Sequence, residues 1–247
     1  MDGSTPYKQQ ERDFYVRYAN VVKGEFLSRP NRFIAKVLVN GREETAHVKN
    51  TGRCREILIP GAKVYLQYFD PGTNNRKTGY DLIGAVKGNM LINIDSQAPN
   101  AVVKEWLKTN GKIKTIKPEA IFGNSRVDFL LETANGKRVL LEIKGCTLEK
   151  DGVGYFPDAP TERGKKHLRE LADAVKSGYA AAVGFVIQMD GITEVRPNTE
   201  TDPEFGRLLN AAYESGVDIL FLECHVEEDS LEITRVTTYN NKPVFWL

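Results

Sequence analysis

Two different rhythms of apolar residues, meeting near residue 97, constrain this chain most. From Val21 to Asp95 the apolar runs are short: VVKGEFL (21–27), FIAKVLV (33–39), EETAHVK (43–49), KVYLQYF (63–69), YDLIGAV (80–86) and NMLINID (89–95). Asn40-Gly41 is a strong hairpin signal and Lys87-Gly88 a second tight turn. Runs of that length, with turn residues between them, predict a small barrel or sandwich.

Beyond Pro99 the rhythm changes. AVVKEWLK (101–108) reads as a helix capped by Asn100. The runs KIKTIKP (112–118), RVDFLLE (126–132) and RVLLEIK (138–144) read as strands, and residues 145–160 as a loop. In TERGKKHLRELADAVKSG (161–178), Leu168, Leu171, Ala172 and Val175 share one helical face, and Gly178 ends it. A strand at 180–189, a helix at 203–214 and a strand at 217–224 follow. Strands alternating with helices predict an α/β domain. The division is therefore a polar tail (1–13), a β domain (14–97) and a mixed α/β domain (98–247).

Composition excludes several classes. At 247 residues, 41% hydrophobic and 27% charged, the chain can bury a core and is not disordered throughout. It has no apolar run of about 18 residues, so no membrane span is expected. The opening MDGSTPYKQQERDF lacks the apolar centre of a secretory signal. Cys54, Cys146 and Cys224 are odd in number and far apart, which argues against a disulfide framework and for a cytoplasmic setting. Phosphate-loop, dinucleotide and serine-hydrolase motifs are absent.

The net charge of +1 hides an asymmetry. Residues 28–63 hold eight basic and three acidic side chains, net +5; residues 192–232 hold two and eleven, net −9. One face then suits a polyanion and the other avoids it. In the β domain Arg29, Arg32, Lys49, Arg53 and Arg55 are the candidate nucleic-acid contacts, with Phe33, Tyr65, Tyr68 and Phe69 as accompanying rings. Asn50, Thr51 and Gly52 form an expected turn able to offer N–H groups to phosphate. His47 and His225 read as structural. The acidic segment admits a third role, a scaffold acting through protein partners.

The stretch SRVDFLLETANGKRVLLEIKG (125–145) carries the chemistry. Glu142 and Lys144 share one face of a strand whose other face offers Leu141 and Ile143 to a core. A three-residue loop, Ala134–Gly136, sets Asp128 opposite Glu142; a two-residue Asn-Gly loop turns it away. The first register requires Gly136 in the left-handed region or another bulge. Two carboxylates sharing a site repel unless a cation bridges them, and oxygen ligands suit Mg²⁺ or Mn²⁺. The Ile143 carbonyl is a further ligand candidate, and Lys144 a group to position water or hold developing charge. A plain cross-strand salt bridge between Lys144 and Glu142 fits the same pattern. Glu119, Tyr155 and Asp158 are accessory candidates. Arg163, Lys166, His167 and Glu170 fall on one helical face, suited to phosphate or to supporting the metal ligands. Lys166–Glu170 also reads as an ordinary surface pair.

Asp…Glu-x-Lys on adjacent strands, followed by a helix and another strand, resembles the PD-(D/E)XK nuclease-like fold. The blocks RPNRFIAKV (29–37), HVKNTGRCREILIPGAKV (47–64), LINIDSQAPN (91–100), GNSRVDFLL (123–131), EIKGCTL (142–148) and GYFPDAPTERGKKHLREL (154–171) resemble the sugar fermentation stimulation protein (SfsA) family. The resemblance implies an N-terminal OB-fold barrel and a C-terminal nuclease-like mixed sheet flanked by helices. It also implies non-specific DNA binding and a regulatory link to sugar (maltose) metabolism. The alternative is a Mg²⁺- or Mn²⁺-dependent nuclease acting through Asp128, Glu142 and Lys144. The residues do not choose between DNA and RNA, nor set an oligomeric state.

Overall fold

The computed structural model describes residues 15–50, 52–70, 76–123 and 125–246. The expected tail (1–13) and Thr51 lie outside them. The strands are β1 (Tyr15–Arg17), β2 (Val21–Asn31), β3 (Ile34–Val39), β4 (Arg42–Val48), β5 (Lys63–Tyr68), β6 (Tyr80–Lys87) and β7 (Met90–Asn93). Helix α1 (Ala98–Thr109) leads to β8 (Ile113–Phe122), β9 (Ser125–Thr133), β10 (Arg138–Cys146), β11 (Leu148–Lys150) and β12 (Val153–Phe156). Then come α2 (Glu162–Lys176), β13 (Ala180–Ile187), β14 (Val195–Pro197), α3 (Pro203–Glu214), β15 (Asp218–Glu227) and β16 (Ser230–Thr238).

Strands β2 to β6 close into a five-stranded barrel, because β4 pairs parallel with β6 after the antiparallel run β4-β3-β2-β5-β6. Alternation makes this possible. In β3, Ala35, Val37 and Val39 are buried while the residues between them are half-buried. At the β3–β4 hairpin, Asn40 and Gly41 take φ of 50° and 77°, the mirror-image turn that matches strand twist.

The second sheet has the order β1-β16-β15-β13-β10-β9-β8, with β10, β13 and β15 parallel and central. Strand β1 therefore belongs to this sheet, although the sequence groups residues 14–97 together. Helix α1 covers one face through Val102, Val103 and Leu107 against Phe129, Leu141 and Ile143. Helices α2 and α3 cover the other through Leu168, Leu171, Phe205 and Leu209 against Leu140, Val183 and Phe185. Thr161 caps α2 by accepting from Gly164 N at 3.0 Å, and Asp202 caps α3 by accepting from Phe205 N at 3.1 Å. The other oxygen of Asp202 accepts from Thr161 N at 3.0 Å, so one carboxylate ties both helix starts.

Barrel and sheet share a polar seam. The buried Gln188 amide reaches Asn93 O and Oδ1 at 3.0 Å and Asp95 O at 3.1 Å. Ile92 and Met189 form a β-bridge beside it. Buried amides are tolerated only when satisfied, and this one is, which fixes the two parts in one arrangement.

Candidate metal and nucleic-acid site

The β9–β10 hairpin has the three-residue loop. Thr133 and Lys137 pair across it, with Gly136 at φ 78°. Opposed residues run from Arg138↔Glu132 to Leu141↔Phe129. Beyond that pair the two strands separate, and side chains take over the backbone's bonds. Asp128 Oδ2 accepts from Ile143 N at 2.7 Å, and Asp128 N lies 3.4 Å from Glu142 Oε2. The register thus brings Asp128 and Glu142 together at the point of divergence.

Each carboxylate is held from a different direction. Asn100, on the first turn of α1, donates its amide to Asp128 Oδ1 at 2.9 Å. Lys144 Nζ donates to Glu142 Oε1 at 2.6 Å, and His167 Nδ1 shares that oxygen. Lys144 is also 3.4 Å from His167 Nδ1, and Arg163 Nε donates to His167 Nε2 at 3.5 Å.

Electrostatics separates the two acids. Burial pushes the Asp128 carboxyl above its ordinary value, and the Glu142 charge adds to the push. Burial acts on Glu142 in the same direction. There the His167 hydrogen bond and the Lys144 charge outweigh it, and the carboxyl sits below its ordinary value.

Other sequence-predicted residues fall at different distances from this centre. Glu170 lines a small cavity with Glu142 and His167, whereas Lys166 is exposed and pairs with Glu170 at 3.7 Å. Glu119 is exposed and pairs with Arg126 at 3.2 Å, away from Asp128. Tyr155 and Asp158 line a cleft of about 180 Å³ with Ser96, Gly145 and Gln188. His225 pairs with Asp190 at 2.9 Å on the surface.

The barrel cations divide by role. Arg29 is consumed internally: its guanidinium donates to the carbonyls of Gly52, Arg53, Arg32 and Asn50 at 2.6–2.9 Å. Lys49 faces Asp81 at 3.1 Å and Asp95 at 3.3 Å. Arg32, Arg53 and Arg55 are exposed and line a cleft of about 650 Å³ whose far wall is Phe156–Thr161. Of the rings, Phe33 is half exposed under Arg32, while Tyr65 is core. Tyr68 packs on Tyr80, and Phe69 lies under Arg76.

Asn100 is the site residue that sequence reasoning misses. Its expected role was a helix cap, but α1 starts earlier, at Ala98 after Gln97, with Pro99 in its first turn. Asn100 is thereby inside the helix, and its side chain is free to reach Asp128. Nothing local in the sequence signals that contact.

Among the described residues, no group of three or more His, Cys, Asp or Glu side chains is arranged to hold a metal by itself. The donors the structure brings together are the carboxylates of Asp128 and Glu142, hard oxygen ligands. The upward push on Asp128 by Glu142 is what a bridging cation would relieve, so the residues fit a divalent ion. No helix among the described residues is long and apolar enough to cross a membrane.

Comparison with known proteins agrees with this architecture. The model "SfsA N-terminal OB domain" matches residues 27–94, and "Sugar fermentation stimulation protein RE domain" matches residues 97–230. A sugar fermentation stimulation protein homolog of Desulfitobacterium hafniense is 56% identical over 219 residues, covering 88% of this chain and 95% of the relative. One from Clostridium beijerinckii is 53% identical over 221 residues, covering 88% and 96%. The solved structure of Pyrococcus furiosus SfsA in complex with Ca²⁺ superposes with a TM-score of 0.81 at 28% identity, covering 89% of this chain and 96% of that one. Barrel, mixed sheet and both matched domains lead to one conclusion: the chain belongs to the sugar fermentation stimulation protein family, with an N-terminal OB barrel and a C-terminal mixed sheet flanked by helices.

Proposed function

We propose that this protein binds DNA through phosphate contacts, without base readout, and carries a divalent-metal site at Asp128 and Glu142. One observation carries the binding reading. The guanidinium groups of Arg32, Arg53 and Arg55 line one cleft, are exposed, and find no hydrogen bond or ion pair among the described residues. Unspent cations on a groove wall suit a polyanion, with affinity that falls as salt rises. Fluorescence anisotropy of a labelled duplex and a labelled single strand, across a salt series, tests it. Binding indifferent to salt, or absent at low salt, removes it. A part in sugar metabolism rests on the names of the relatives, and a cytoplasmic setting on the three free cysteines.

A second reading, hydrolysis of phosphodiester bonds, is favoured by Lys144 lying 2.6 Å from Glu142 beside Asp128. The Ca²⁺ complex of the Pyrococcus furiosus relative supports a cation site in this fold. Asp128, Glu142 and the Ile143 carbonyl would hold Mg²⁺ or Mn²⁺, which supplies an acidified water and offsets phosphoryl charge when bound. The rest falls to the chain's own residues. His167 and Asn100 orient the carboxylates, and the Lys144 ammonium steadies charge growing on the phosphate. Calorimetry with Mn²⁺ on wild type, Asp128→Ala and Glu142→Ala, then a nuclease assay, separates binder from catalyst. Cleavage lost with DNA binding retained identifies the catalyst; no cleavage by wild type with either metal sinks it.

A further inference from the structure

The cleft between the barrel and the loop before α2 contains an acid in an unusual position. Asp158 lies within the wall that faces Arg32, Arg53 and Arg55, yet it makes no ion pair among the described residues. Its hydrogen-bond partner is the backbone N–H of Arg53, which donates to Oδ2 at 2.8 Å. The same oxygen presses on Gly52, where an added Cβ would come to 2.4 Å of it. Only a residue without a side chain admits a carboxylate that close.

The Arg29 guanidinium holds the carbonyls of Asn50, Gly52 and Arg53 and, from the neighbouring turn, that of Arg32, and Asn50 Oδ1 accepts from Gly52 N at 2.7 Å. The loop so fixed presents an N–H and a glycine surface at the foot of three exposed arginines. A backbone donor in a cleft walled by cations is a place for an anion. The anion in it at present is the protein's own. Asp158 also acts on its neighbours: burial pushes the Cys54 thiol up to about 12, with the Asp158 charge adding to it.

We propose that the Gly52–Arg53 peptide, with Arg32, Arg53 and Arg55, is a phosphate-binding site of the nucleic-acid groove, and that Asp158 is a stand-in for phosphate that an incoming strand displaces. This rests on the nucleic-acid reading above and adds to it the place of one phosphate and a brake on its binding. The brake weakens every polyanion alike, so it disfavours short or weakly held ones, which cannot outcompete a tethered carboxylate.

The test uses the full chain and a fluorescein-labelled oligodeoxythymidylate of about 12 nucleotides, long enough to make several phosphate contacts. Asp158→Asn keeps an acceptor for Arg53 N and removes the charge. Its affinity is expected to rise about fivefold at low salt, the effect of one close like charge in water. Arg53→Ala with Arg55→Ala is expected to weaken binding and flatten the salt dependence. Unchanged or weaker binding by Asp158→Asn, with binding lost in the arginine variant, overturns the stand-in and leaves the nucleic-acid reading intact. No binding by wild type at low salt overturns both. A measurement on wild type guards against a misfolded variant: the Arg53 amide resonance should move on titration with the oligonucleotide. An amide that stays put at saturation overturns the displacement.

Discussion

Asn100 Nδ2 lies 2.9 Å from Asp128 Oδ1, so α1 touches the carboxylate centre from the opposite side to α2. The other Asp128 oxygen is fixed by the Ile143 N–H at 2.7 Å. Two donors on two elements thus set the plane of one carboxylate. Asn100→Ala removes the only one of them that is a side chain. Mn²⁺ affinity by calorimetry should fall about tenfold, as for other partners of metal ligands, while thermal stability changes little because Asn100 is exposed. Unaltered affinity would make the contact incidental.

The two acids give opposite pH dependences. Glu142 has a folded value below its ordinary 4.5, so its ionised form adds stability that is complete above about that pH. That stability is lost as pH falls through the folded value. Asp128 has a folded value above its ordinary 3.8, so its ionisation costs stability as pH rises through that value. Urea midpoints at pH 7 should therefore place Glu142→Gln below wild type, by about 3 kcal/mol for a broken buried pair, with the gap closing toward pH 3. Asp128→Asn in chelator should gain on wild type over the same rise. Parallel curves for all three proteins would refute the assignment of the two shifts.

Arg29 is a structural residue with a functional consequence. Its loss leaves four carbonyls of the 50–53 and 32 loops without their donor. Arg29→Ala should cost about 3 kcal/mol, the scale of charge-assisted bonds to a single group. Arg29→Lys should fall between, because an ammonium has fewer donors and no fork. Oligonucleotide affinity should track stability of the loop in both variants, even though Arg29 itself is spent. Denaturation and anisotropy on the same samples would expose any mismatch.

The cysteines offer a check on the core. Cys54, Cys146 and Cys224 are all free and buried. Burial pushes Cys54 and Cys146 up to about 12 and Cys224 up as well. A colorimetric thiol reagent at pH 8 should label none of them in the folded protein and all three in denaturant. Rapid labelling of any thiol in the folded protein contradicts this packing.

Local patterns made much of this legible. The Asn40-Gly41 hairpin follows from local turn chemistry; for the second hairpin the sequence left a two- and a three-residue loop open, and the structure has the latter, whose register brings Asp128 to Glu142. The α2 face with His167 follows from helical spacing. Long-range pairing was not legible. Arg29 and Lys49 read as surface cations because nothing nearby in sequence announces the Gly52 and Arg53 carbonyls or the Asp81 and Asp95 carboxylates. Asn100 was misread because a helix start shifted by three residues turns a cap into a contact. Strand β16 was not foreseen at all.

The pairing of Tyr15 with Glu232 also bears on how the molecule is made. The first described strand leaves the ribosome before the barrel, yet its neighbour in the sheet is the last of the described strands. The barrel is thus an excursion of the chain between two neighbouring strands of the sheet, and its strands, all within residues 21–87, can pair while β1 waits. Loop closure over nearly the whole chain is the slow, non-local event. Chain order thereby sets the order of events: the barrel can form early, and the sheet bearing Asp128 and Glu142 gains its β1 edge only after β16 has been made.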